Sequence, residues 1–332
     1  MKINRQELVE ALVKVKPGLA NKEIIEFTTH FVFNETTIQT YNDQISILQM
    51  MKTGLQGAVK ANEFFALISK LPDEELDIQM EEDKFIIKGK RSKAHINITQ
   101  EHKLPLFFDD IQTWLPLSDD FSNAVKFCLF SVSKDMTRPE LTNLRIIKNK
   151  ILSTDKFRIT KRIMNQSIKK EFFLPGNAAT HLINYSPIKY SLQKEWLHFI
   201  NEEKTIFSTR IMDVEYPDIE SFLKVEGEKV KFPVSLAESI DRAEILAKTE
   251  FEQDLIISLT LKKSTLICKG QGPLGFIEEE HRIRYTGEEI KLFIHPVFLR
   301  EILNRLKEVT IGEMSLLFEG DNFQHVISLA SK

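Results

Sequence analysis

Residues 61–89 read ANEFFALISKLPDEELDIQMEEDKFIIKG, and the order of patterns inside them decides the fold. Phe64, Leu67, Ile68 and Leu71 recur at three- and four-residue intervals, which puts them on one face of a helix. Beyond Pro72 the period changes: DIQM and FIIKG flank the polar EEDK and read as two strands joined by a tight turn. The same succession returns twice. PGNAATHLINY (175–185) stripes Ala179, Leu182 and Ile183 and precedes LHFI-NEEK-TIFST, while HPVFLREILNRLK (295–307) stripes Leu299, Ile302, Leu303 and Leu306 and precedes SLLF-EGDN-FQHVIS.

A second series runs in step. RQELVEALVKV (5–15) carries Leu8, Ala11, Leu12 and Val15; DDFSNAVKFCLF (119–130) carries Phe121, Ala124, Val125 and Cys128; SLAESIDRAEILA (235–247) carries Leu236, Ile240 and Ala243, with Ser235 and Glu238 at capping-box spacing. Hairpins follow each: HFVF-NETT-IQTYN, LRII-KNK-ILST and ISLT-LKKS-TLICK. A unit of helix, strands, helix, strands therefore recurs roughly every 115 residues, too long a period for a solenoid. The predicted class is α+β: three tandem similar domains (1–116, 117–228 and 229–332), each with two helices packed on antiparallel sheets. Their boundaries fall where periodicity lapses, at LPLS (115–118) and in the charged VEGEKVK (225–231).

Of the 332 residues 42% are apolar and 28% charged, which excludes disordered and collagen-like classes. With a net charge of −3, any nucleic-acid contact has to come from a local basic face. The N-terminal MKINRQELVEALVKVKPG has no uninterrupted apolar run, so neither a signal peptide nor a membrane span is expected, and the protein reads as cytoplasmic. Cys128 and Cys268 sit in apolar runs, as buried thiols do. Gly270, Gly272 and Gly275 spell G-x-G-x-x-G, but the following FIEEEHRIRY is strand-like, and a dinucleotide site needs a helix there. The histidines form no H-x-x-x-H pair, and no Walker or G-x-S-x-G sequence occurs, so no cofactor, no metal and no catalytic residue is expected. Asp109/Asp110 and Asp119/Asp120 are the carboxylate pairs a metal-dependent nuclease would use, although the second pair opens a helix, where acids complement exposed N–H groups.

In the middle repeat one hairpin turn stands apart: LSTDKFRITK (152–161) follows Thr154 and Asp155 with Lys156, Phe157, Arg158 and Ile159. Its counterparts are QTYNDQISI, with Asn42 and Asp43, and CKGQGPLGF.

Together KANEFFALISKLPDEELDIQMEEDKFIIKGKRSK, the ordered set SKDMTRPELTNLRI, LSTDKFRITK and FSTRIMDVEYPDIESFL, and LAESIDRAEIL with HVISLASK resemble the bacterial sliding clamp, the beta subunit of the replicative DNA polymerase, over essentially the whole chain. The resemblance implies a non-catalytic processivity factor: a head-to-tail homodimer forming a ring around double-stranded DNA, without sequence preference. It further implies a groove for linear motifs of the polymerase and clamp loader, formed by Leu141, Thr154, Lys156, Phe157, Arg158, Ile159, Pro217, Ser221, Phe222, Phe298, Val326, Ile327, Ser328, Leu329 and Ala330. The subunit contact implied is Ala94 and Ile96 against Ile245 and Leu246. Basic residues off the apolar helix stripes are candidates for the DNA lining: Lys14, Lys60, Lys70, Lys126, Arg242, Lys248, Arg300, Arg305 and Lys307. Departures include Lys156-Phe157 where the family has Gly-His, Ser221 for an Arg, and a Ser331-Lys332 terminus, which imply a partner preference different from that of a typical cellular clamp. The chain is also shorter than usual, and KPGLANKEIIEF lacks the proline-rich segment the family has after its first helix, which points to a divergent or phage-encoded clamp. The rival classes are a metal-dependent DNA nuclease or repair enzyme and a peptide-binding scaffold that does not encircle DNA.

Overall fold

A computed structural model describes residues 2–100, 104, 108, 111, 113–249 and 255–331. The chain forms two compact units, one from 1–123 and 165–213, the other from 124–164 and 214–332, so the segment 117–228 contributes to both.

The first unit is built on one sheet of twelve strands. Its order is Lys2–Asn4, Glu75–Glu81, Lys84–Lys88, Lys93–Thr99, Gln56–Lys60, His30–Asn34, Thr37–Tyr41, Ile45–Met50, Ile206–Arg210, Trp196–Ile200, Lys189–Gln193 and Leu115–Pro116. Helix Arg5–Val15 buries Leu8, Ala11, Leu12 and Val15, the predicted stripe, and Asn4 caps it by accepting the Glu7 N–H at 3.1 Å. Helix Ala61–Lys70 buries Phe64 and Ile68; Phe64 meets Phe31, Phe33 and Phe85 edge-on at 5.6–6.5 Å, the geometry ring quadrupoles favour. Phe207↔Ile47 and Ser208↔Ser46 pair strands from different sequence repeats into the one sheet. Buried beside that seam, His198 Nδ1 lies 2.7 Å from Ser208 Oγ, and desolvation pushes its pKa down to about 4.

In the second unit one sheet contains, in order, Asn143–Ile147, Lys150–Thr154, Arg158–Ile163, Phe323–Ser328, Ser315–Gly320, Glu308–Ile311 and Glu228–Lys231. Another runs Gly275–Arg282, Thr265–Gly272, Ile257–Lys262 and Ile290–Ile294. Helices Leu236–Ala247 and Pro296–Leu303 bury Leu236, Ile240, Ala243, Leu299, Ile302 and Leu303 in one core with Leu259, Leu266, Leu316, Phe318 and Ile327. The glycine-rich stretch is a helix-to-strand contact: a Cβ at Gly270 would stand 2.0 Å from the Ala243 carbonyl oxygen, and one at Gly272 2.3 Å from that of Leu246. Only glycine lets this strand lie so close to the helix. Gly272↔Gly275 then closes a hairpin, as the rejection of a dinucleotide site requires.

One local expectation is corrected. Ser235 does not form a capping box; its backbone is already helical and its hydroxyl lies 2.9 Å from His281 Nδ1 instead. The pattern lapses at 115–118 and 225–231 contain short strands, Leu115–Pro116 paired to Lys189 and Tyr190 and Glu228–Lys231 paired to Glu308–Ile311. Pairing partners distant in sequence supply the hydrogen bonds that local propensity does not. Both cysteines are free and buried, and burial raises both thiol pKa values, that of Cys268 to about 12.

Candidate functional site: an apolar groove on the second unit

The distinctive turn of the middle repeat is a rigid knuckle. Asp155 Oδ1 accepts the N–H groups of Phe157 and Arg158, each at 3.1 Å, and Thr154 Oγ1 accepts that of Lys156 at 3.3 Å. Lys156 takes the left-handed conformation (φ 81°) that such a turn demands. Arg158 Nε donates to Asp155 Oδ2 at 2.8 Å, its guanidinium also pairs with Glu301, and it lies 4.4 Å from the Phe298 ring centre and 5.3 Å from that of Phe130. Arg158 is only 8% exposed. Burial raises the Asp155 pKa, an effect the adjacent guanidinium opposes.

The strand after the knuckle pairs Ile159 with Thr154 on one side and Val326 on the other, and Val326 faces Leu317 across the next ladder. Directly paired residues share a sheet face, and successive residues alternate. Thr154, Ile159, Val326, Ser328, Leu317 and Ser315 therefore lie on one face, Thr160, His325, Ile327 and Leu316 on the other. The chain 214–225 covers the first face: Leu223 is buried with Leu317 and Val326, with Ile159 and Val225 packed against them.

Between these parts lies a groove of about 540 Å³, lined by Arg138, Glu140, Leu141, Thr154, Lys156, Phe157, Arg158, Ile159, Glu215, Pro217, Ile219, Phe222, Met314, Ser315, Val326, Ser328 and Leu329. That volume suits an apolar anchor or a short peptide. Phe157 and Phe222 are 54% and 64% exposed at its edge, and Phe157 stacks on Phe298 at 5.9 Å.

Of the residues expected here, Leu141, Thr154, Lys156, Phe157, Arg158, Ile159, Pro217, Phe222, Val326, Ser328 and Leu329 line the groove. Ser221, Phe298, Ile327 and Ala330 do not. Phe298 backs Phe157, Ser221 is exposed beside Phe222, and Ala330 is tied by its N–H to the Phe293 carbonyl at 2.8 Å. Ile327 is buried in the core on the opposite sheet face. Arg138, Glu140, Glu215, Ile219, Met314 and Ser315 were missed; register would have offered Ser315, which pairs with Ser328.

The expected lining cations divide. Lys14 pairs with Glu203, Lys60 with Glu23 at 2.6 Å, Arg242 with Glu279 at 2.5 Å, and Arg300 with Asp241 at 2.7 Å and also Glu244. Arg242 is the leading cause of a Glu279 pKa pushed down to about 2. Arg305 stacks on Phe127 and Phe130 and donates to the Phe127 carbonyl at 2.9 Å, while Lys307 donates to that of Leu303. Lys70, Lys126 and Lys248 are exposed, with no carboxylate partner among the described residues. Of the residues expected between subunits, Ala94, Ile96 and Leu246 are half-buried and Ile245 is 61% exposed.

Asp109 and Asp110 lie outside the described residues. Asp119 and Asp120 serve structure: Asp120 Oδ1 accepts from Ser118 Oγ at 2.6 Å and the Asn165 N–H at 3.2 Å, and Asp119 Oδ1 from Asn165 Nδ2 at 3.1 Å. Among the described residues no group of three or more His, Cys, Asp or Glu side chains is placed to hold a metal ion, and no helix is long and apolar enough to cross a membrane.

Paired helices on antiparallel sheets, repeated along one chain, constitute the DNA clamp fold. More narrowly, the chain has the fold of the beta subunit of bacterial DNA polymerase III over its full length. It superposes on the sliding clamp of Bacillus subtilis with a TM-score of 0.85 at 19% identity, covering 100% of this chain and 98% of that one. For the DNA polymerase III beta chain of Streptococcus pneumoniae the TM-score is 0.87 at 20% identity, covering 100% and 99%. A Pseudomonas aeruginosa sliding clamp bound to griselimycin matches at 0.87 and 15% identity, again covering 100% and 99%. In sequence the chain is 23% identical over 329 residues to the beta sliding clamp of Rickettsia felis, covering 88% of this chain and 84% of that protein. No protein-family model matches the sequence.

Proposed function

We propose that the chain is a DNA sliding clamp: a non-catalytic processivity factor that encircles duplex DNA as a head-to-tail homodimer and tethers a replicative polymerase and its clamp loader. The observation that carries this reading is an apolar groove at the segments where the sequence resembles the clamps' partner site, on a chain that matches DNA polymerase III beta subunits from end to end. The groove holds partners' linear motifs by apolar anchoring on Phe157, Ile159, Phe222 and Val326, with the knuckle's polar groups fixing register. Division into three domains, 1–116, 117–228 and 229–332, belongs to the same reading, supported by the threefold recurrence of helix and hairpin. The clamp works in the cytoplasm.

Two sheet edges favour head-to-tail closure. Strand Lys93–Thr99 pairs with Lys84–Lys88 on one side, but on the other, among the described residues, only Ile98 and Thr99 have partners; Gly275–Arg282 is likewise an edge strand among the described residues. Lys93 and His95 are exposed on the first, Glu278 and Glu280 on the second, so edges of opposite charge character meet when copies join, and closure hides both. Ala94, Ile96, Ile245 and Leu246 are the apolar contacts of that junction. The engaged state of Lys14, Lys60, Arg242 and Arg300 fits a ring that retains DNA by enclosure: a weak positive lining, with Lys70, Lys126 and Lys248 the least committed cations, permits sliding along phosphates.

The test is retention after loading on nicked circular DNA against linear DNA with free ends, at moderate salt. The circle is expected to keep the protein while the linear duplex loses it quickly. Equal loss from both would refute encirclement.

A further inference from the structure

We propose that Glu220 is a positioning residue of the groove: through Lys150 and Lys161 it fixes the short turn Glu220–Leu223 on the sheet and so sets the place of Phe222. The inference rests on the groove reading above. None of these three charged residues lines the groove.

Lys150 Nζ donates to both carboxylate oxygens of Glu220, at 2.8 and 2.7 Å, and Lys161 Nζ lies 3.6 Å from the same group. Both lysines stand on the sheet face that floors the groove, because Lys150, Leu152 and Thr154 alternate onto it and Lys161 pairs with Leu152 as Ile159 pairs with Thr154. The two ammonium groups hold the Glu220 carboxyl below its ordinary range. Within the turn, Asp218 Oδ1 accepts the Glu220 N–H at 3.2 Å and the Ile219 carbonyl accepts that of Phe222 at 3.3 Å. Leu223 is sunk in the cluster with Leu317 and Val326.

Phe222 itself stands largely in solvent, so its own packing does little to place it. Its position is inherited from the backbone of the turn, which has apolar anchors at Leu223 and at the buried Ile219 just before it, and an ionic one at Glu220. Ile219 and Leu223 hold the turn by apolar contact, which is non-directional and leaves the segment between them free to tilt over the sheet. The carboxylate, bonded directionally to Lys150 on the same sheet, removes that freedom and presents the ring preorganised, which lowers the entropy cost of binding.

The test uses the full chain with 4-fluorophenylalanine at position 222, observed by fluorine NMR, and griselimycin as groove probe. The unaltered chain is expected to give one narrow resonance. Glu220→Gln and Lys150→Met should broaden or split it and weaken griselimycin about fivefold, the reach of a partly exposed ion pair. Lys150→Arg, which keeps the charge, should retain both properties, a rescue that mere volume would not predict. A Glu220→Gln resonance identical to that of the unaltered chain would overturn the proposal. A changed resonance with unchanged griselimycin affinity would overturn the role in binding. If the unaltered chain does not bind griselimycin while its resonance still responds to Glu220→Gln, the groove reading fails, and with it the role assigned to Glu220, although the tether itself is real.

Discussion

Replacing Arg158 by Met tests the physics of the knuckle most directly. The guanidinium is nearly buried, bonded to Asp155 at 2.8 Å, paired with Glu301 and stacked on Phe298 and Phe130. Removing one partner of a buried pair costs about 3–5 kcal/mol, because the other charge stays behind unpaired. Glu301 is solvated enough to reorganise, Asp155 keeps its two backbone N–H donors, and Met packs against the same two rings, so the low end, about 3 kcal/mol, is expected. For a chain of 332 residues that lowers Tm by roughly 4 °C.

The pH dependence has a definite sign. Burial already sets the folded pKa of Asp155 above its ordinary value of 3.8, and loss of Arg158 raises it further. A carboxyl with a raised folded pKa costs stability while ionised, and that cost fades as pH falls through the folded pKa and the native state takes up the proton. The deficit of Arg158→Met should thus be largest at pH 7 and shrink toward pH 4. Arg158→Met with Asp155→Asn should recover about 1–2 kcal/mol, since Asn Oδ1 still accepts the turn's N–H groups and carries no charge. Calorimetry is the suitable assay: both tryptophans, Trp114 and Trp196, belong to the first unit, so their fluorescence does not report on this one. A deficit below about 1 kcal/mol at pH 7, or one that grows with acidity, would refute the reasoning.

Three further outcomes are expected. His325 is buried with a pKa held far below 6.5, and His198 titrates near 4; because the unfolded chain binds their protons below pH 6.5 and the folded one does not, stability present above that pH is lost as it falls, by about 1.4 kcal/mol per pH unit for each. His325→Gln should flatten the Tm–pH slope between pH 6.5 and 4.5 by one histidine's share, and an unchanged slope would count against this account. Gly270→Ala drives a Cβ into the Ala243 carbonyl and should destabilise the second unit by about 1–3 kcal/mol in urea titration; a neutral result would mean that helix and strand separate freely. Phe157→Ala should weaken polymerase pull-down while sedimentation still reports the dimer, because the ring is half exposed and makes its described stack with Phe298. Loss of both together would place Phe157 in folding and not in binding.

The knuckle and its strand were readable because turn chemistry and period-two alternation are local: Asp155 reaches N–H groups two and three residues on, whatever lies elsewhere. Ile327 shows where that reach ends. FQHVIS reads as a strand from its own residues, but which of Val326 and Ile327 faces the groove depends on pairing with Ile159, well over a hundred positions earlier, and a one-residue slip exchanges them. The capping box at Ser235 failed for a related reason, since His281 on a neighbouring strand competes for the hydroxyl.

By itself the sequence determined the helices with their buried stripes, the hairpins, the threefold recurrence and the turn that presents Phe157, all consequences of spacing within a few residues. Only the tertiary structure decided that Arg158 lies buried between Asp155, Glu301 and two phenylalanines, that Met314 and Ile219 join the groove, and that four of the expected lining cations are held by carboxylates. The physical reason is one of range: propensity and periodicity act along the chain, whereas register, burial and ion pairing act across it, between residues that only folding brings within a few ångströms.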